Sequence, residues 1–302
     1  MYDLIVIGGG PAGLTAAIYG IRKRLNVLLV SMDLGGKTNY HLQLPDMEGH
    51  WVIRGTEIVD KFKSELEYLK AARHMETVRK IERQDDGTFV VHTSGGGELV
   101  AKAVIVATGT RQKFLNVPGE ETYLFKGLAY SAVSYAPLFI DKRTAVIGSG
   151  ELALRSAAEL AIVAKHVHVV GLTPDVLATP LGEKMAKAPN VTVLPEYQVT
   201  EVKGNGYCDR LVAQSPAGEQ VEIGFDGAFV ERALLPNVEM VAHLVDLDKN
   251  GCIQIDCHNR TSVPGIFAAG DVTSIYAEQV LVAVGEGAKA ALSAYDYLLP
   301  LL

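Results

Sequence analysis

Three glycines near the start of the chain have the spacing that binds a dinucleotide. Gly8, Gly10 and Gly13 form the pattern GxGxxG, directly after the apolar stretch DLIVI and before an alanine-rich stretch with helical spacing. The first glycine permits a tight turn, the second lets the backbone approach a pyrophosphate, and the third allows helix and strand to pack closely. The helix N-terminus, which here includes Pro11 and Ala12, offers N–H groups and partial positive charge to the phosphates. The pattern predicts a dinucleotide site.

An acidic residue that holds the ribose hydroxyls is expected about twenty residues after such a turn. At the end of the next apolar strand the chain has Ser31, and Asp33 follows two residues later. Asp33 could bind the ribose from the loop, or Ser31 could bind it directly. Both residues stay candidates.

Near the C-terminus, Gly270 and Asp271 follow the apolar stretch GIFAA, and a helical run starts near Gln279. An acid at the end of a strand can bind a polyol hydroxyl. The N-terminus of the following helix can stabilise negative charge on an adjacent ring. We therefore predict that this segment contacts the same cofactor.

The glycine pattern recurs about 140 residues later, with Gly148, Gly150 and Ala153 in the form GxGxxA. Each turn follows a short β-branched strand and precedes an alanine-rich helix and a second apolar strand. This order is the β-α-β unit of a doubly wound sheet, and the chain has it twice. The sequence predicts an α/β protein with two doubly wound nucleotide-binding domains, the second inserted in the first.

Strand-like stretches fill the rest of the chain, such as GTFVVHT, AKAVIVATGT, VTVLPEYQVTEVKG and VEIGFDGAFVE. The simplest division forms one nucleotide-binding domain from residues 1–112 and 241–302. Residues 113–240 then form the inserted domain.

The composition excludes several classes of protein. A net charge of −7 argues against nucleic-acid binding, and the one dense basic cluster, Arg22-Lys23-Arg24, is expected to close a helix. No apolar run is long enough to span a membrane, and the opening MYDLIVIGGG enters a strand without room for a signal peptide. The three cysteines lack CxxC spacing, which suits inert thiols in a reducing compartment. We expect a cytoplasmic protein.

Eight segments, in order, resemble the low-molecular-weight thioredoxin reductase family: GGGPAGLTAA, GGKT, VIVATGT, VPGEE, KGLAY, AVIGSGELA, SVPGIFAAGDVT and VAVGEGAKAALSAYDYL. From Lys126 onward the chain is especially similar to the reductase half of alkyl hydroperoxide reductase flavoproteins. The resemblance implies an FAD domain made from both chain ends, an inserted domain of the pyridine-nucleotide type, and a homodimer.

The resemblance also assigns the FAD contacts residue by residue. It implies that the first glycine turn holds the pyrophosphate, that Asp271 holds the ribityl chain, and that Gln279 with Val280 meets the pyrimidine edge of the flavin. The GGKT loop would line the flavin. The predicted cofactor-binding set is Gly8, Gly10, Pro11, Ala12, Gly13, Ser31, Asp33, Gly35, Gly36, Lys37, Thr38, Ala107, Thr108, Gly109, Gly270, Asp271, Gln279 and Val280. No metal site is predicted.

The chain departs from the family at the active-site segment, where the family carries Cys-x-x-Cys-Asp. Here Ser131, Ser134 and Tyr135 occupy the Cys, Cys and Asp positions. A serine hydroxyl has no accessible redox couple and cannot form a sulfur–sulfur bond, so dithiol–disulfide exchange at this segment is excluded. We assign no catalytic residue.

The second nucleotide site also departs from the family. Gly171 takes the place of the ribose-binding acid, and no Arg or Lys lies between His168 and Lys184. In the turn that the family writes G-x-x-P-N, this chain has Ala233, preceded by Arg232, and both crowd the place where backbone approaches a cofactor. Asp175 could restore NADH binding. We expect a degenerate site and no use of NAD(P)H.

Three functions follow from this pattern. The leading hypothesis is a flavin oxidoreductase that exchanges electrons directly with a small redox protein such as ferredoxin, or with a stacked second flavin or aromatic ligand. Tyr130 and Tyr135 could wall such a ligand, or Tyr135 could serve in interdomain packing. The second is a thioredoxin-reductase-like ferredoxin–NAD(P) reductase. The third is a redox-inert flavin-binding sensor or interaction protein.

Overall fold

The structure is a computed structural model that describes residues 1–40, 42–45 and 55–302. Its contacts divide the chain into two compact units. Unit 1 comprises Met1–Asn39, Ile53–Arg111 and Leu235–Leu302, and unit 2 comprises Tyr40–Val52 and Gln112–Leu234.

The strands of the described residues are numbered in chain order. They are β1 Tyr2–Ile7, β2 Val27–Val30, β3 Ala72–His74, β4 Val78–Arg83, β5 Phe89–Thr93, β6 Glu98–Val106, β7 Thr110–Gln112, β8 Leu128–Ala129, β9 Arg143–Ile147, β10 His166–Val170, β11 Val191–Leu194, β12 Gln198–Asn205, β13 Tyr207–Gln214, β14 Gln220–Gly224, β15 Gly227–Val230, β16 Leu234–Pro236 and β17 Ile266–Ala268.

The helices are α1 Pro11–Arg22, α2 Gly55–Tyr68, α3 Glu120–Tyr123, α4 Ala132–Tyr135, α5 Glu151–Val163, α6 Pro174–Leu177, α7 Pro180–Ala186 and α8 Val280–Leu298. Short 3-10 segments cover Gly36–Asn39, Ala136–Phe139 and Leu299–Leu301. In the part of the chain that the structure describes, no helix has the length and apolarity to cross a membrane.

Unit 1 contains a sheet in the order β3-β2-β1-β6-β5-β4, with β17 also paired to β6. β1 is parallel to β2 and to β6, and β17 is parallel to β6. The central strands are apolar on both faces because both faces are covered. Leu4 and Val6 pack against α1 and α8, whereas Ile5 and Ile7 pack against the other layer, which includes Met240.

Small residues allow α1 and α8 to lie close together on one face of this sheet. A Cβ at Gly287 would lie 2.1 Å from the carbonyl oxygen of Ala12, so the two helix backbones are almost in contact there. The alanine-rich sequences of both helices follow from this close approach. α1 ends at Arg22, as the basic cluster predicted.

Unit 2 contains a second parallel sheet in the order β11-β10-β9-β15-β8 and an antiparallel sheet in the order β12-β13-β14. α5 follows the second glycine turn, and its residues Leu154, Ala157 and Leu160 are buried in the core of this unit. Both predicted β-α-β units are present, so the predicted α/β class with doubly wound sheets is confirmed.

One segment packs elsewhere than the sequence division places it. That division includes residues 40–45 in the first domain, but the buried side chains of Leu42 and Leu44 lie in a core cluster of unit 2 with Phe139. The backbone explains the difference, because Gln43 donates to the carbonyl of Phe125 at 2.7 Å and accepts from Gly127 N–H at 3.0 Å.

Candidate functional site

The first glycine turn lies at the carboxyl end of β1, in unit 1. Gly8 has φ +110°, and a Cβ on it would lie 2.2 Å from the carbonyl oxygen of Ala107. A Cβ on Gly13 would lie 1.8 Å from the carbonyl oxygen of Gly8. These two positions require glycine for the fold itself.

Gly10 is different, because its Cβ position has no atom of the described residues within 4 Å. It is the N-cap of α1, a helix of 12 residues whose first residue is Pro11. A glycine has no side chain with which to cap the helix, and the first N–H groups of a helix have no partner within it. Open space before an uncapped helix N-terminus fits a pyrophosphate.

The loop after β2 is held against this turn by its own polar groups. Gly35 N–H donates to the carbonyl of Gly9 at 2.7 Å, and Asp33 Oδ1 accepts from Gly36 N–H at 2.8 Å. The Ser31 hydroxyl donates to the carbonyl of Asp33 at 2.7 Å. Both candidate ribose ligands therefore also shape the loop, and the choice between them stays open.

Lys37 extends from this loop toward the ends of other strands. Its Nζ donates to Thr110 Oγ1 at 2.8 Å and lies 2.7 Å from Asp271 Oδ2 and 4.0 Å from Glu278 Oε2. Sequence reasoning places Lys37 and Asp271 in one site but does not foresee their ion pair. The pairing joins segments separated by more than 230 residues.

The segment Ala107–Gly109 follows β6 and is fixed by a residue that the sequence analysis missed. The Thr108 hydroxyl donates to the carbonyl of Asn237 at 2.6 Å, and Asn237 Nδ2 donates to the carbonyl of Thr108 at 2.9 Å. Asn237 N–H also donates to the carbonyl of Gly109 at 3.0 Å. The sequence indicates Asn237 only as the end of the turn facing the second nucleotide, but the residue lies in unit 1.

The C-terminal candidates complete the same edge of unit 1. Gly270 has φ +78° and directly follows the β17 region, with Asp271 next to it. Gln279 is the N-cap of α8, which begins at Val280, close to its predicted start. The loops after β1, β2, β6 and β17 thus bring the predicted cofactor-binding residues to the carboxyl edge of one sheet, where ligands of open α/β sheets bind.

In unit 2, the two serines that replace the family's cysteines lie side by side. Ser131 Oγ and Ser134 Oγ are 2.9 Å apart and share a hydrogen bond. Ser131 has a left-handed backbone with φ +66°, and it precedes α4, which has four residues. The pair can exchange a proton between hydroxyls but has no two-electron couple.

Tyr135 and Tyr130 are packing residues within unit 2. Tyr135 stacks on Phe229 with ring centroids 6.5 Å apart, and its hydroxyl donates to the carbonyl of Tyr40 at 3.2 Å. Tyr130 meets Phe114 and Phe125 edge to face. Burial raises the pKa of both phenols, so both are neutral at physiological pH.

A buried acid behind the serine segment was also missed. Glu231 follows β15, is 3% exposed, and its Oε1 accepts from Ala132 N–H at 2.7 Å. Burial raises the pKa of this carboxyl above its usual range. No local sequence signal distinguishes an acid at this position, because its partner is 99 residues away.

The second glycine turn has a similar backbone but different neighbours. A Cβ on Gly148 would lie 2.1 Å from the carbonyl oxygen of Glu231, while the Cβ position of Gly150 meets no described atom within 4 Å. Gly171, at the place of the ribose acid, has φ +102°. Arg232 donates to the carbonyl of Phe114 at 2.8 Å, and the hydrogen bond from Thr173 is the main cause of the lowered pKa of Asp175.

The three cysteines are free. Burial raises the pKa of the Cys208 thiol to about 12 and that of Cys252 to about 11, whereas Cys257 is exposed. Cys208 and Cys252 are therefore protonated at neutral pH. Within residues 1–40, 42–45 and 55–302, no cluster of three or more His, Cys, Asp and Glu side chains could hold a metal.

Two doubly wound units, one with a complete dinucleotide turn, define a nucleotide-cofactor oxidoreductase fold. The chain matches the pyridine nucleotide-disulphide oxidoreductase family over residues 2–287 and belongs to it. This membership confirms the predicted relation to thioredoxin reductases and the predicted cofactor, FAD.

Individual relatives agree with this assignment. An alkyl hydroperoxide reductase protein of Pseudomonas putida, the F component of that enzyme, is 36% identical over 313 aligned residues, which cover 99% of this chain and 58% of that protein. An NADH dehydrogenase of Bacillus subtilis is 36% identical over 309 residues, covering 99% of this chain and 59% of that protein. The chain therefore spans less than three fifths of these relatives.

Among solved structures, a thioredoxin reductase from Streptococcus pyogenes superposes with a TM-score of 0.88 at 34% identity. That match covers 99% of this chain and 98% of the other. The likeness extends over both units and so supports the fold of each.

Proposed function

We propose that this protein is a flavin oxidoreductase that exchanges electrons directly between its flavin and a second redox partner, without a dithiol. The observation that carries the proposal is the hydroxyl pair of Ser131 and Ser134, 2.9 Å apart, in a chain with no CxxC. Hydroxyls in this place leave the flavin as the only group for which the chain keeps a binding site able to transfer electrons.

The residues of unit 1 have distinct roles toward FAD. Gly10 and the N-terminus of α1 hold the pyrophosphate, and Ser31 or Asp33 holds the adenosine ribose. Asp271 holds the ribityl chain, and Gln279 with Val280 meets the pyrimidine edge. FAD, when bound, supplies two-electron redox chemistry that no side chain of this protein supplies.

The proposed electron partner is a small redox protein such as ferredoxin, or a second flavin or other planar aromatic molecule. Unit 2 offers exposed aromatic side chains for such a molecule, since Tyr40 is 53% and Phe114 is 47% exposed. Tyr40 stacks on Phe125 with centroids 4.8 Å apart, which holds its ring in place.

We also propose a homodimer in the cytoplasm. Unit 1 carries exposed apolar side chains on the loop before α8 and on α8 itself, with Tyr276 97% and Leu281 68% exposed. A second copy would cover them. Three free cysteines suit a reducing compartment. Light scattering of the purified protein tests the dimer.

A second candidate function is a ferredoxin–NAD(P) reductase. The open space at Gly150 and the similarity to a protein named NADH dehydrogenase favour it. The absence of an acid at Gly171 disfavours it. The leading proposal holds that NADH and NADPH do not reduce the flavin.

Anaerobic stopped-flow spectroscopy of the FAD-loaded protein separates these functions. We expect slow bleaching with NADH and NADPH, and rapid reoxidation when the dithionite-reduced protein meets oxidised ferredoxin or free FMN. Rapid bleaching with either nucleotide supports the second candidate. Exchange with none of these partners supports a redox-inert flavin protein, and reduction of thioredoxin contradicts the proposal outright.

A further inference from the structure

The ammonium group of Lys37 is held by three segments of unit 1 at once. It contacts Thr110 Oγ1 at 2.8 Å and Asp271 Oδ2 at 2.7 Å, with Glu278 Oε2 at 4.0 Å. Its side chain is 33% exposed and that of Asp271 is 15% exposed. The cation therefore lies inside the edge of the sheet and still faces open space.

The order of the strands shows which part of a dinucleotide this cation meets. β1 lies between β2 on one side and β6, with β17, on the other. A pyrophosphate at the turn after β1 directs its adenosine toward the end of β2 and its other half toward β6 and β17. Lys37 starts in the loop after β2, but its Nζ is bonded beyond β6 and after β17.

The loop that carries Lys37 is pressed against the glycine turn, which fixes where the lysine starts. Gly35 N–H donates to the carbonyl of Gly9, and a Cβ on Gly36 would lie 3.3 Å from Gly10 Cα. Of the residues predicted to bind FAD, Lys37 is the only one with a basic side chain.

We propose that Lys37 tunes the flavin: its ammonium faces the isoalloxazine half of FAD and makes the flavin easier to reduce. This inference rests on the proposed function. A charge near the ring is one of the means by which a protein sets flavin electronics. Uptake of two electrons and one proton leaves one negative charge on the ring system, and a nearby cation stabilises that charge.

The two carboxylates beside Lys37 oppose this effect. Glu278, at 4.0 Å, partly neutralises the field of the ammonium without being one of the proposed FAD contacts. Its removal leaves Lys37 with more of its charge acting on the ring. Lys37 and Glu278 therefore predict shifts of opposite sign.

The test is the midpoint potential of bound FAD, measured spectroscopically against a reference dye. Lys37→Gln is expected to shift the equilibrium for reduction about tenfold toward the oxidised flavin, which is about 30 mV for a two-electron couple. Glu278→Gln is expected to shift it the other way by a smaller factor. Lys80→Gln, on the edge strand β4, removes the same charge and serves as the control, with no shift expected.

FAD affinity, measured by fluorescence quenching, distinguishes a phosphate ligand from a tuning residue. A Lys37→Gln variant with many-fold weaker FAD binding and an unchanged potential assigns the ammonium to the pyrophosphate and overturns the inference. If that variant retains no FAD, Glu278→Gln decides, and an unchanged or lowered potential overturns the inference. Wild-type protein that binds no FAD overturns the proposed function and this inference together.

Discussion

The two glycine turns of this chain have nearly the same backbone requirements and very different surroundings. Gly8 and Gly148 would each place a Cβ within about 2 Å of a carbonyl oxygen, that of Ala107 in unit 1 and that of Glu231 in unit 2. Gly10 and Gly150 both face open space among the described residues. By the glycines alone, the two turns are equivalent.

The difference lies in the loops that face the turns. In unit 1, Asp33, Lys37 and Asp271 supply polar and charged groups at the carboxyl edge of the sheet. In unit 2, the corresponding strand end carries Gly171. Packing alone preserves a phosphate-type turn, so the retained glycines of unit 2 are evidence of fold, and the charged loops of unit 1 are evidence of binding.

The largest expected effect is that of Gly13→Ala. The new methyl group would lie 1.8 Å from the carbonyl oxygen of Gly8, and the helix and strand must separate to admit it. We expect a loss of about 3 kcal/mol in the free energy of unfolding, measured with urea. Ala153→Gly in the second turn should cost about 1 kcal/mol, because only helix propensity changes. Equal losses would contradict the distinction between the turns.

Gly10→Ala is expected to weaken FAD binding about 100-fold while leaving the unfolding free energy of the apoprotein within about 0.5 kcal/mol. The Cβ meets no described protein atom but occupies the space that the pyrophosphate needs. Fluorescence titration with FAD measures the loss. Gly150→Ala is the matched control and should leave FAD affinity unchanged, since an equal loss there would place FAD in unit 2.

Cysteines at both serine positions are expected to form a disulfide. Ser131 Oγ and Ser134 Oγ are already 2.9 Å apart, so Ser131→Cys with Ser134→Cys requires little movement to join the sulfurs. Closing so short a loop stabilises the fold by about 2 kcal/mol or less.

Thiol titration under denaturing conditions checks this. The chain has 3 cysteines, so the oxidised double variant should still titrate three thiols and each single variant four, one more than the wild type. Five thiols in the double variant after mild oxidation would show that the segment no longer brings the two positions together.

Glu231→Gln has the smallest expected effect, and it depends on pH. Burial raises the pKa of this carboxyl above 4.5, so the folded protein holds the proton more tightly than the unfolded chain. Stability is therefore lost as pH rises from the ordinary range of a carboxyl through its raised value. The variant keeps an acceptor for Ala132 N–H, cannot ionise, and should be more stable than the wild type by about 1 kcal/mol at neutral pH. A difference that is the same at pH 4 and pH 7 would contradict this account.

The α/β class, the family and the cofactor were predictable because their signals are local. The glycine turns, the alanine-rich α1 and the start of α8 near Gln279 each lie within a short stretch of sequence. The assignment of individual residues to FAD stays a prediction.

What the sequence did not reveal depends on contacts between distant segments. Asn237 beside Thr108, Lys37 beside Asp271, and Glu231 beside Ala132 are each separated by about a hundred residues or more. The sequence division places residues 40–45 in the first domain because they follow its β2, whereas Leu42 and Leu44 are buried in unit 2.

The cysteines described above have a practical consequence for these experiments. Cys208 and Cys252 hold their protons up to about pH 12 and pH 11, and Cys257 is the exposed one of the three. A maleimide dye added at pH 7 should accordingly attach to Cys257, which comes shortly before β17 in the chain. Unit 1 thus carries a natural attachment point for a fluorophore, with which energy transfer to bound flavin can be followed in unmodified protein.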